Sequence, residues 1–149
     1  MASLARRLLT ETHMALFRAS RGRLLRSIGE LPVLLLTTTG RRSGAARAAP
    51  LTYIEVDDGY ALAASDGGAA RHPDWYRNLV AQPDVVVRVG RSARPMRAEV
   101  LSEPERGRVF ALFKAALKQY AVYETRTRRT IPVVLLRPLP DAKDASTPE

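Results

Sequence analysis

Apolar residues in this chain fall in short dense blocks separated by glycine, proline and paired charges, a rhythm that favours strands over long helices. Pro32-Val33-Leu34-Leu35-Leu36-Thr37-Thr38-Thr39 predicts a strand over 33–39 that stops at Gly40-Arg41-Arg42-Ser43-Gly44. Strands are also expected over 47–56 and 60–65, joined by the turn Asp57-Asp58-Gly59, and then over 85–89, 94–101 and 131–136. Helical spacing occurs in three places. Residues 3–28 carry Leu4, Leu8, Leu9, Leu16, Leu24, Leu25 and Ile28, with Gly22 weakening the middle. Pro73 suits the first position of a short helix to about Ala81, with Asp74 near its positive end. Ser102-Glu103-Pro104-Glu105 predicts a capping box, followed by an apolar face of Val109, Leu112, Phe113, Ala116, Leu117 and Tyr120. About six mainly antiparallel strands with flanking helices make an α+β fold around a small barrel. The expected organisation is a basic helical segment over 1–30, one domain over 31–137 and a polar tail over 138–149.

Charge sharpens this picture. Lys and Arg number 24 against 15 Asp and Glu, a formal charge of +9, which favours anionic partners. Nucleic acid is disfavoured, because aromatics are only 6% and no stacking or helix-turn-helix pattern appears. Arg6, Arg7, Arg18, Arg21, Arg23 and Arg26 oppose Glu11 within residues 3–28 and alternate with leucines, a pattern suited to an anionic membrane surface. The competing reading is a helix packed on its own barrel with solvated arginines. No apolar run approaches the ~20 residues of a membrane span, and no secretory signal pattern is present, so a cytoplasmic protein is expected, peripheral at the inner membrane face if the basic segment docks there. No motif encodes the oligomeric state.

The chemistry narrows by elimination. The chain has no cysteine, so thiolate nucleophiles and Cys-bound metals are excluded. His13 and His72 are far apart, and no metal is expected. No nucleophile elbow, Walker loop or dinucleotide fingerprint occurs, and Asp57-Asp58 reads as a solvated turn. Binding groups without catalytic side-chain machinery suit an enzyme whose cofactor carries the reaction.

The ordered set Leu36-Thr37-Thr38-Thr39-Gly40-Arg41-Arg42-Ser43-Gly44, Arg47, Pro50-Leu51, Ala64-Ser65-x-Gly67-Gly68, Pro73-x-Trp75-Tyr76-x-Asn78-Leu79 and Thr130-Ile131-Pro132-Val133 resembles the deazaflavin (F420)-dependent nitroreductases and F420-dependent quinone reductases. The resemblance spans about residues 30–137. It implies a split, FMN-binding-like β-barrel and hydride transfer from reduced coenzyme F420 to a quinone, nitroaromatic or other activated small-molecule acceptor. Carried over by position, Arg42 and Arg47, with neighbouring Arg41 and Ser43, would hold the cofactor's phosphate and oligoglutamate tail. Ala64, Ser65 and Asp66 would line the same groove, Pro50 would sit near the deazaflavin and Trp75 would cover it. Tyr120 and Tyr123 would face the acceptor, with Tyr120 the candidate catalytic group. Ala49, Thr52, Asp66 and Leu117 depart from the family pattern.

Other readings stay open on the residues alone. FMN could occupy a barrel of this kind, since an arginine does not distinguish one phosphate from another. A carrier could bind F420, a fatty acid or haem without turnover. Arg41 and Arg42 could be solvated turn residues, Trp75 and Leu79 core packing, and Tyr120 the end of a buried helix face.

Overall fold

In the computed structural model, which describes residues 27–28 and 31–139, the apolar blocks pair into one antiparallel sheet. Its strands are β1 (Ser27–Ile28), β2 (Leu31–Thr39), β3 (Ala46–Thr52), β4 (Ile54–Val56), β5 (Gly59–Ala63), β6 (Asp84–Val89), β7 (Ser92–Val100) and β8 (Val133–Pro138). The path runs β4-β5-β8-β7-β6-β2-β1, with β3 on β2 as well. The edge strands β3 and β4 are therefore neighbours in the chain, linked by Tyr53, whose N–H donates to the Pro32 carbonyl at 3.1 Å. The sheet curls round and stays open at that seam, giving the split barrel.

Two strands exceed the six expected: β1 is one, and the other arises because the expected run over 47–56 is really two. Residues 46–52 pair with β2 and residues 54–56 with β5, so the chain changes partner without a break in apolar character. Pro50 is tolerated in β3 because this strand pairs only with β2.

Two cores share the sheet. Leu34, Leu36, Leu62, Val87, Met96, Val134 and Leu136 fill the inside of the curl. Ala61, Val133, Val109, Phe110, Phe113 and Tyr120 pack on the other face of β5 and β8. Four successive residues of β8, Val133–Leu136, are buried, which is why that strand reads as an unbroken apolar run.

The helices are α1 (Asp74–Ala81), α2 (Glu105–Ala116) and α3 (Gln119–Arg126). The long helix expected from Ser102 to Tyr120 is broken at Leu117, which has extended angles of φ −146° and ψ 112°. The capping box does not form: Pro104 occupies the N-cap position. Glu103 serves the helix start instead, accepting the Gly107 N–H at 3.3 Å and pairing with Arg106. The buried face also turns. Phe110 is 1% exposed and Leu112 47%, since a face centred on Phe113 carries Val109 and Phe110 and leaves Leu112 about 100° away.

Ser27–Ile28 pair with Leu31–Pro32 as a strand, so the expected N-terminal helix does not continue through Ile28. The rest of the basic segment over 3–28 and most of the polar tail, residues 140–149, lie outside the described residues. Among the described residues no helix is long and apolar enough to cross a membrane.

Candidate functional site

The β2–β3 turn is built by its own hydrogen bonds. Gly40 N–H donates to the Ala45 carbonyl (2.7 Å), Gly44 N–H to the Gly40 carbonyl (2.8 Å) and Ala45 N–H to Ser43 Oγ (3.1 Å). Three of the backbone donors that a Gly-bounded turn could offer an anion are thus spent inside the turn.

Asn78, 4% exposed, ties this turn to α1. Its Oδ1 accepts from Arg41 N–H (3.2 Å) and from the Arg41 guanidinium (2.9 Å), while its Nδ2 donates to Thr38 Oγ1 (3.2 Å). Arg41 also pairs with Asp74 at 3.3 Å. Arg41 thus braces the turn against α1 while also lining the cleft described next. Arg42 and Arg47 are both exposed, and among the described residues neither forms an ion pair.

These arginines line a cleft of about 540 Å³ whose wall includes Ser43, Ala49, Trp75 and Asn78. A second cavity of about 410 Å³ is lined by Pro50, Thr52, Ser65, Asp66, Leu117, Tyr120 and Tyr123 among others, and it shares Ala49 and Trp75 with the first. The two cavities adjoin through these residues in one grooved face, with the basic turn at one end and the tyrosines at the other. Segments distant in sequence meet in it: the β2–β3 turn, β3, the Ser65–Gly67 turn, α1 and α3. Of the expected residues, Ala64 stands apart. It is fully buried and lines neither cavity, its N–H being used by the Pro132 carbonyl at 2.8 Å.

Tyr120 is 6% exposed and packs edge-on against Phe113 and Tyr123, with ring centroids 5.0 and 5.7 Å apart. Its hydroxyl shares a 2.5 Å hydrogen bond with Thr52 Oγ1. Burial pushes its pKa above the ordinary 10.0, and the Thr52 bond opposes that rise only in part. The phenol is therefore protonated at neutral pH, so it can act as a donor. Among the described residues no cluster of His, Asp and Glu could hold a metal ion.

Three contributors escaped the sequence reading. In the sequence Asn78 is part of a motif with no role attached, and Thr52 is only a departure from the family pattern. Arg129, beside Thr130-Ile131-Pro132, bonds the Ala64, Ser65 and Ala69 carbonyls. The signal that could have found it was its position three residues after the tyrosine helix.

The profile of the F420H(2)-dependent quinone reductase family matches residues 9–138. The chain is 38% identical over 135 residues to the F420H(2)-dependent quinone reductase of Mycobacterium tuberculosis (strain ATCC 25618 / H37Rv), covering 86% of this chain and 89% of that protein. Among solved structures, an F420-H2 dependent reductase superposes with a TM-score of 0.65 at 41% identity, covering 71% of this chain and 94% of the other. A structure described as a domain-swapped dimer superposes with a TM-score of 0.67 at 34% identity, covering 91% and 98%.

Proposed function

The chain belongs to the F420H(2)-dependent quinone reductase family, and from that membership we propose how its residues divide the work of an F420-dependent oxidoreductase acting on quinones. Arg42 and Arg47 bind the anionic tail of the cofactor, as exposed guanidinium groups that lack acidic partners among the described residues. Trp75, shared by both cavities, covers the bound ring. Pro50 and Ser65 form the wall beside it, and Tyr120 and Tyr123 bound the acceptor end. The observation that carries this reading is the adjacency of two cavities, one lined by arginines without acidic partners among the described residues and the other by a buried phenol. That arrangement fits an elongated ligand with an anionic tail and a planar head.

Bound reduced F420 supplies a hydride, two electrons and one proton's nucleus delivered together. The chain's own part is to hold the reacting carbons at about 3–3.5 Å and to keep water out. It must also meet the negative charge that builds on the acceptor oxygen. Tyr120 Oη, protonated and held by Thr52 Oγ1, donates to that oxygen. Nitroaromatics and other activated acceptors fall within the same chemistry. The protein works in the cytoplasm, with residues 3–28 drawing it to the inner membrane face where lipid-soluble quinones lie.

Titrating the protein with F420 and with FMN, and then following oxidation of reduced F420 by menadione, tests the assignment. Tighter quenching of F420 than of FMN, with menadione-dependent oxidation, is the expected result. Equal affinity for both would leave a flavin site, and F420 binding without turnover a carrier.

A further inference from the structure

Arg129 lines neither cavity, yet its guanidinium spends its donors on one short stretch of chain. Nε donates to the Ala69 carbonyl at 2.9 Å, and Nη2 to the Ala64 and Ser65 carbonyls at 3.1 and 2.9 Å. Nη1 meets His72 Nδ1 at 3.1 Å. Arg129 has no acceptor lone pair to offer, so His72 Nδ1 accepts and the ring hydrogen sits on Nε2. The stretch so gripped contains Ser65, Asp66 and Gly67, which line the same cavity as Tyr120 and Tyr123.

Two short-range bonds shape that turn, Gly68 N–H to the Ser65 carbonyl at 2.9 Å and Ala69 N–H to the Asp66 carbonyl at 3.1 Å, but its backbone is strained. Asp66, Gly67 and Gly68 follow one another at φ 45°, 65° and 83°, a conformation that needs outside support when one of the three is not glycine. Support comes from α3. A Cβ on Gly68 would lie 2.8 Å from the Tyr123 carbonyl oxygen and 2.7 Å from Arg126 Cβ, so the turn presses directly on the helix that bears the tyrosines. Arg129 follows the end of that helix by three residues and bonds both ends of the turn. Asp66 favours its charge against the cost of burial.

We propose that Arg129 is a positioning residue that locks the Ala64–Ala69 turn to α3, fixing the spacing between the cofactor-side and acceptor-side walls of one cavity. The proposal rests on the F420 reading above. Hydride transfer depends steeply on the separation and alignment of the reacting atoms, whereas the cofactor's tail is gripped at the other end of the groove by Arg42 and Arg47. Loosening the turn should consequently damage turnover more than affinity. Lysine keeps the charge but cannot span three carbonyls and an imidazole with one ammonium group.

Arg129→Lys and Arg129→Gln separate these possibilities, with oxidised F420 binding, steady-state kinetics and amide hydrogen exchange of the cofactor-free protein measured together. Faster exchange confined to residues 65–69 is expected in both variants. With it should come a kcat about 10–100-fold lower and a dissociation constant changed by less than about threefold, as for misplacement of the reacting groups. The lysine variant should be the milder. Unchanged exchange and unchanged kcat overturn the proposal. So does an affinity loss as large as the loss of turnover, which would make Arg129 a binding residue. Exchange that rises throughout the sheet in both variants also overturns it, since the role is then general stability. A wild-type protein that fails to quench F420 overturns the cofactor reading itself, and the positioning role falls with it.

Discussion

The acidity of Tyr120 is pulled in opposite directions, burial and neighbouring Tyr123 raising its pKa and the Thr52 hydroxyl lowering it. Burial prevails, so the phenol stays protonated beyond its ordinary pKa of 10.0. If it donates during turnover, the basic limb of the kcat profile lies above that value. Thr52→Val should move the limb higher still, because a bond that favours the phenolate is lost. Tyr120→Phe should leave F420 affinity unchanged and lower kcat about 10–100-fold, the scale of a positioned proton donor. A stable variant with full turnover would make Tyr120 a packing residue. The three arginines beside the other cavity should separate equally well. Arg42→Ala and Arg47→Ala should each weaken F420 binding about tenfold or more, the scale of a charge-assisted hydrogen bond, and reduce its salt dependence. Arg41→Ala should instead lower the urea midpoint, because Arg41 braces Asn78 and Asp74.

At the scale of elements, the Ser65–Ala69 turn and α3 form one unit, and adjacent glycines test it. Gly67 and Gly68 both have positive φ, but a Cβ on Gly67 meets nothing within 4 Å, while one on Gly68 strikes the Tyr123 backbone. Gly67→Ala should therefore cost only its conformational strain, about 1–2 kcal/mol. Gly68→Ala should cost that and force the turn off the helix, so its stability loss in urea melts should be clearly larger. Equal losses would mean that the turn moves freely against α3. The seam at Tyr53 belongs to the same scale. A seven-residue strand and a three-residue strand lie end to end and serve opposite edges of the sheet, and this keeps Pro50 and Thr52 beside the groove.

For the whole molecule, the formal charge of +9 has two outlets, the arginines of the groove and those of residues 3–28. If the second set draws the enzyme to anionic lipid, the 149-residue chain should float with acidic vesicles at low salt and leave them as salt rises. A chain lacking residues 1–26, which spares Ser27–Ile28 of β1, should lose flotation and keep F420 quenching. Failure of the whole chain to bind acidic vesicles at low salt would assign those arginines to solubility or another anionic partner.

Local order in the sequence determined much of this protein. Apolar blocks bounded by Gly and Pro located the strands and α1, the Asp57-Asp58 turn joined β4 to β5, and the ordered motifs pointed to the family. Those signals are legible because each depends on neighbouring residues. The tertiary structure alone decided what depends on partners far away in the chain. It split one apolar run at Tyr53 because the partner strand changes there, and broke the second helical pattern at Leu117. It drew Arg41 into a buried amide's network while leaving Arg42 and Arg47 without ion pairs among the described residues, although the two adjacent arginines look alike in the sequence. It also brought Arg129 to carbonyls about sixty residues away, and no spacing rule reaches that far. Hydrogen-bond partners and the two walls of a cavity exist only once the sheet has curled.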